Sequence, residues 1–255
     1  NRGSYSPFMG QDIMKPEYTS QLYKNINNKY FELATKEAGL VKTGFPSSAS
    51  VADYNKDGWL DLYVSNDFDA PDFLYMNNGD GTFRYQTEQS MKHTSFYSMG
   101  VDSADIDNDG NIDIMTLDMV AEDNFRLKSN MSGMDIQEFW NVVNDGGHYQ
   151  YMFNALHLNN GNESFSEIAN YSNLAATDWS WSNLIADFDN DGFRDIHITN
   201  GLLRDIRNTD GDKSVDQFTK KIISEYIKDN PNLGLVNVWD ILPLQEVLDF
   251  LPSIK

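Results

Sequence analysis

The sequence predicts a mainly β fold, a partial β-propeller of about three four-stranded antiparallel blade equivalents, and three observations carry that prediction. An acidic loop recurs as "ADYNKDGWLDLYVSND" from Ala52, "ADIDNDGNIDIMTLD" from Ala104 and "ADFDNDGFRDIHITN" from Ala186. A turn motif recurs as "LYKNINNKYFEL", "LYMNNGDGTFRY" and "LHLNNGNESFSEI", with Asn25, Asn77 and Asn159 each six residues before Phe31, Phe83 and Phe165. The two are locked together, because 28 residues separate each of these Asn from the first Asp of the next loop. Spacing the other way is elastic: 24 residues from Asp53 to Asn77, but 54 from Asp105 to Asn159.

Each unit reads as four strands. The first enters the acidic loop ("SASVAD", "GVDSAD", "SNLIAD") and the second leaves it ("LDLYVSN", "IDIMTLD", "RDIHITN"). The third precedes the Asn-Gly turn, a strong hairpin signal, and the fourth follows it. The chain therefore carries half a blade, blades starting near Ser48 and Gly100, and half a blade from Trp181. A closed ring uses four to eight blades, so an arc of a larger ring is expected, with the remaining blades of a larger chain as its partner. Residues 1–201 form the propeller region, with a helical insertion at about 120–153. Residues 202–255 are expected to be a mostly helical excursion packed on the propeller and leading to a further blade.

Helical spacing supports both insertions. "MDIQEFWNVV" sets Ile136, Phe139, Trp140 and Val143 on one helical stripe, and "SVDQFTKKIISEYIK" opens with a capping box of Ser214 and Gln217. The stretch "RNTDGDKSVD" before it reads as a polar turn, and "TDWSWS" sets Trp179 and Trp181 on one strand face, towards a neighbouring blade.

Composition narrows the function. A net charge of −20, from 19 basic and 39 acidic residues, argues against nucleic acid and against an anionic membrane surface as partners. The absence of cysteine excludes disulfides and thiolate metal sites. No apolar run approaches the ~18 residues of a transmembrane helix.

The acidic loops follow D-x-[DN]-x-D-G-x-x-D, with side-chain oxygens at positions 1, 3, 5 and 9. These are Asp53, Asn55, Asp57 and Asp61; Asp105, Asp107, Asp109 and Asp113; and Asp187, Asp189, Asp191 and Asp195. Position 7 adds a backbone carbonyl from Trp59, Asn111 or Phe193, and the glycine at position 6 permits the tight turn. So many oxygens on so short a loop suit calcium, a hard cation that takes six to eight of them, and three calcium ions are expected as cofactors. An EF-hand is excluded, since its position 12 needs a bidentate Glu and here holds Val64, Thr116 or Ile198.

These loops and hairpins resemble the FG-GAP/VCBS repeats of calcium-binding β-propellers, the integrin-α-like type. "TLDMVAEDNFRLK", "HYQYMFNALHLNNGNESFSEIA" and "ATDWSWSNLIADFDNDGFRDIHITNG" further resemble the CRTAC1-like (cartilage acidic protein 1-like) VCBS proteins of Bacteroidota. The resemblance runs from about Ser20 to Gly201 and implies calcium ligation by the twelve side chains above. It also implies secretion or anchoring at a cell surface, in bacteria the outer-membrane surface, but no particular reaction. Two departures stand out: Asn55 replaces an Asp, and "YKNINNKYFEL" lacks Asn-Gly.

No nucleophile elbow or Ser/His/Asp pattern is present, and His93, His148, His157 and His197 share no metal-ligand spacing. The expected role is an extracellular protein- or glycan-binding module stabilised by calcium. The alternative is part of a propeller-based lyase or hydrolase whose catalytic residues do not stand out. Alternation of strands places the acidic loops on one face and both insertions on the other, where a surface protein or glycan would bind. The aromatic residues offered there are Phe139, Trp140, His148, Tyr149, Tyr151 and Trp239.

Overall fold

A computed structural model of the protein describes residues 20–68, 70–130, 134–201 and 209–229. Trp239 lies outside them. The first hairpin pairs β1 (Tyr23–Ile26) with β2 (Tyr30–Leu33). Its turn manages without glycine because Asn27 and Asn28 both take left-handed backbone, at φ 53° and 57°, which Asn tolerates better than most residues.

The first complete blade is β3 (Phe45–Ala52), β4 (Asp61–Asp67), β5 (Phe73–Asn77) and β6 (Phe83–Tyr85), hydrogen-bonded in that order and antiparallel throughout. A one-turn helix α1 (Thr87–Ser90) and the short strand β7 (Thr94–Ser95) lead onward. The second blade begins with β8 (Val101–Ala104) and β9 (Asp113–Thr116). The chain then leaves through β10 (Met119–Val120), helices α2 (Asn124–Asn130) and α3 (Ile136–Asn144), and β11 (Gln150–Tyr151). It returns as β12 (Ala155–Asn159) and β13 (Phe165–Glu167), which complete the sheet in the order β8, β9, β12, β13. A last half-blade pairs β14 (Asp178–Ala186) with β15 (Asp195–Asn200), and β10 joins the far edge of β14. Half a blade, two blades and half a blade follow one another as the repeat spacing predicts.

The described residues divide into two compact units. One comprises residues 20–122 and 134–201, which hold every strand and α3. The other holds α2 and α4 (Thr209–Asp229), which lie against each other. Helix α4 starts at Thr209 and not at the Ser214 capping box, so the "TDGDKSVD" expected as a polar turn is helical.

Apolar side chains from consecutive blades meet between the sheets. Tyr54, Tyr63, Leu74 and Met76 pack with Val101, Ile114 and Phe165 of the second blade. Met115, Leu117 and Leu156 pack in turn with Ile185 of the half-blade. Trp179 is buried as expected, but Trp181 is 45% exposed. The register of β14 against β15 slips between Ser180 and Ser182, and such a bulge breaks the alternation that would have put both indoles on one face.

The insertion in the second blade is anchored at both ends. Val120 and Ala121 are buried where it departs, and β11 runs parallel to β7 where it returns. The Gln150 amide, buried, donates to the carbonyls of Phe68 and Ala70 at 3.1 Å each. Helix α3 begins at Asp135, whose carboxylate accepts from the N–H groups of Gln137 and Glu138 at 2.8 and 3.1 Å, a side-chain N-cap. Its Phe139 ring meets Tyr151 at 5.6 Å, whereas Ile136 and Trp140 on the same helix stay exposed.

Candidate metal centre

All three acidic loops connect a first strand to a second strand, and their backbones fold alike. Position 6 takes a left-handed turn at Gly58, Gly110 and Gly192, with φ of 90°, 85° and 93°, as the spacing required. Position 4 is left-handed too, at Lys56, Asn108 and Asn190, with φ of 60°, 61° and 63°. The motif alone did not point to that second reversal. Two reversals within three residues curl the loop so that the side chains at positions 1, 3 and 5 converge.

Backbone N–H groups hold the convergent carboxylates. The glycine N–H donates to the position-1 carboxylate: Gly58 to Asp53 at 2.8 Å, Gly110 to Asp105 at 3.0 Å and Gly192 to Asp187 at 3.0 Å. The position-5 N–H donates to the position-3 oxygen at 3.2, 3.2 and 3.1 Å, from Asp57, Asp109 and Asp191. The position-7 N–H of Trp59, Asn111 and Phe193 donates to the position-5 carboxylate at 2.8, 2.7 and 2.8 Å. In the second loop these bonds from Asn111, backbone first, hold the Asp109 carboxyl below its usual range.

Two triads can hold a metal ion: Asp105, Asp107 and Asp109, and Asp187, Asp189 and Asp191, each with one oxygen per residue, all within 4.8 Å of one another. The first loop places Asp53, Asn55 and Asp57 in the same hydrogen-bond pattern but with an amide at its centre. The donor set fits a divalent cation on a further count. Asp105 Oδ1 is buried without a hydrogen-bond partner, which in a carboxylate calls for a positive charge. The oxygens are hard ligands of the kind calcium takes.

The position-9 carboxylates stand apart from the triads. Asp61 accepts from the N–H of Tyr54 at 2.9 Å and from that of Asn77 at 2.8 Å, one bond on each oxygen. Asp113 accepts likewise from Ile106 and Asn159, both at 2.8 Å. Both carboxylates are buried, and burial above all pushes their pKa up, while the backbone N–H bonds oppose it. Asp195 accepts from Phe188 at 3.0 Å and is exposed, because among the described residues no third strand covers it.

The recurring Asn of the turn motif reaches back to these loops. Asn77 and Asn159 each take the N–H of their turn glycine on the side-chain oxygen and donate Nδ2 to a loop carbonyl, Leu60 at 2.9 Å and Ile112 at 3.1 Å. Asn159 Nδ2 also lies 2.7 Å from the Tyr54 carbonyl, in the preceding blade's loop. The spacing revealed this Asn but not its target.

Away from the loops the fold assembles groups that share no sequence spacing. The rings of His93 and His157 lie 6.1 Å apart, and Tyr151 and Phe153 flank His93. Burial drives the His157 pKa down to about 3, reinforced by His93 and His148. Among the described residues, only the two Asp triads bring three ligand atoms together as a metal requires.

FG-GAP-like repeats are found at two stretches of the chain, residues 53–116 and 140–198, which between them take in all three acidic loops. No curated protein matches the chain.

Proposed function

We propose, from the FG-GAP-like repeats and the loops they contain, that this chain is a calcium-stabilised propeller segment that works as an extracellular binding or assembly module. The observation that carries the reading is the pair of Asp triads, repeated at the same strand junction in consecutive blades. Each loop would take one calcium ion, for a total of three. The side chains at positions 1, 3, 5 and 9 would ligate, Asp53 through Asp61, Asp105 through Asp113 and Asp187 through Asp195, with the carbonyls of Trp59, Asn111 and Phe193. The ion neutralises carboxylates that otherwise repel one another, so its role is structural. The likeness of the wider sequence to CRTAC1-like VCBS proteins of Bacteroidota supports a place at the bacterial cell surface. No helix among the described residues is long and apolar enough to cross a membrane.

The partner is a surface protein or a glycan, engaged by the face opposite the acidic loops. What supports that choice is helix α3, whose Trp140 and Ile136 are 47% and 73% exposed, with Tyr149 exposed too and packed on Phe139 of the same helix. Exposed aromatic side chains of this kind anchor protein and sugar contacts. Elemental analysis and calorimetric titration of the whole chain with calcium test the first half of the reading. Close to three equivalents are expected, and failure to bind any would refute it.

A further inference from the structure

Glu163 belongs to the hairpin turn of the second blade, yet its carboxylate reaches the acidic loop of the first. Its Oε1 lies 3.3 Å from the side-chain nitrogen of Asn55 and 2.7 Å from the guanidinium of Arg84. Asn55 stands at position 3 of the first loop, where the other two loops have Asp107 and Asp189. That difference has a geometric consequence. A carboxylate presents oxygen whichever way it turns, whereas an amide presents oxygen in one orientation and N–H groups in the other. For Asn55 to serve a cation, its Oδ1 must face the loop interior and its nitrogen must be held away.

The surroundings of Asn55 impose that choice. Oδ1 accepts the Asp57 N–H at 3.2 Å, in the place Asp107 Oδ1 fills in the second loop, where it accepts from Asp109 at 3.2 Å. Nδ2 faces two carboxylate oxygens, Asp57 Oδ2 at 3.0 Å and Glu163 Oε1 at 3.3 Å. Flipping the amide would set oxygen against both. Asp57 is itself a loop ligand, so Glu163 is the orienting group that a bound cation would leave free for the task. Arg84, on β6, keeps the Glu163 carboxylate in place.

We propose that Glu163 is a positioning residue for the first cation site. It fixes the Asn55 amide with oxygen inward, and so makes affinity at one blade depend on the docking of the next. The inference rests on the reading that the first loop takes a cation. Outer-shell partners of this kind typically change metal affinity by about 10–100-fold.

Trp59 at position 7 gives this loop its own reporter, because the other two loops carry Asn111 and Phe193 there. Among the described residues Trp59 is the tryptophan that stands within an acidic loop, so terbium, a stand-in for calcium, would emit on indole excitation when bound there. With the whole chain, terbium emission displaced by calcium is expected, with its midpoint shifted about tenfold to weaker binding in Glu163→Ala. Glu163→Gln, which keeps an acceptor oxygen, should stay near the wild-type midpoint. Asn55→Asp introduced into Glu163→Ala should restore affinity, since a carboxylate needs no orienting, whereas a merely structural loss at the blade junction would not be rescued. An unchanged midpoint in Glu163→Ala, or no rescue by Asn55→Asp, overturns the proposal. Calcium binding to the other loops without terbium emission from the wild type would instead remove the first site from the functional reading, and this inference with it.

Discussion

Asp113 accepts a 2.8 Å hydrogen bond from the backbone N–H of Asn159, 46 residues further along the chain, and so closes the second blade across the insertion at residues 120–153. Asp61 and Asn77 make the same bond at 2.8 Å across only 16 residues. The position-9 carboxylate thus ties the acidic loop to the hairpin of its own blade, whatever length of chain intervenes.

Removing that tie should cost more where it is buried. Asp113→Ala leaves the N–H groups of Ile106 and Asn159 without an acceptor, at about 1–3 kcal/mol for each unpaired group. A loss of about 2–5 kcal/mol in denaturant unfolding is expected, and similarly for Asp61→Ala. Asp195→Ala, at an exposed carboxylate with one backbone partner, should lose much less. Equal losses at Asp113 and Asp195 would contradict the assignment.

Calcium should raise the melting temperature, and a chelator should lower it. Ligand at about 100 times its dissociation constant adds about 2.7 kcal/mol for one site. Asp109→Ala should abolish the response of one site while leaving the others titratable by calorimetry. Loss of bound calcium with no change in the melting curve would rule out a structural role.

Two buried groups should give pH dependences of opposite sign. His157 ordinarily titrates at 6.5 and is held down to about 3. As pH falls through that window the unfolded chain takes up a proton that the native ring refuses, so stability is lost on acidification. Asp72 is pushed up by burial from 3.8 to about 7, against hydrogen bonds donated by the Asn66 N–H and the hydroxyls of Tyr63 and Ser98. Its contribution is greatest below about pH 4 and is lost as pH rises towards 7. Each is limited to about 1.4 kcal/mol per pH unit. The difference in unfolding free energy between wild type and His157→Phe should therefore rise with pH between 3 and 6.5. That for Asp72→Asn should fall between 3.8 and 7. Parallel slopes would refute the pair.

The insertion should separate into a structural base and a free helix face. Ile136→Ser with Trp140→Ser touches exposed side chains only, so stability should change by no more than about 0.5 kcal/mol while partner binding is lost. Gln150→Ala removes buried bonds to Phe68 and Ala70 and should destabilise the protein by about 1–3 kcal/mol. Replacing residues 120–153 wholesale with a short turn would therefore confound folding with binding. A partner that still binds the serine double variant would move the contact off α3.

Local chemistry and chain spacing were enough to place the acidic loops, their glycine turns, the four strands of each blade and the helix over residues 136–144. The reason is that each depends on neighbours along the chain: period-two alternation, a reversal at one glycine, a helical apolar stripe. The fixed 28 residues between hairpin Asn and next loop measure the covalent path from one blade to the next, and so survived in the sequence. The bonds Asn77 and Asn159 make run back to their own blade's loop, and from Asn159 also to the preceding blade's, across connections of unequal length, and only the folded sheets bring them together. Tertiary structure alone decided that the position-9 carboxylates close blades, that a bulge turns Trp181 outward, that three histidines gather, and that Glu163 faces Asn55. Contacts between blades join residues whose separation in sequence obeys no period, because it is set by whatever length of chain the connecting loops contain.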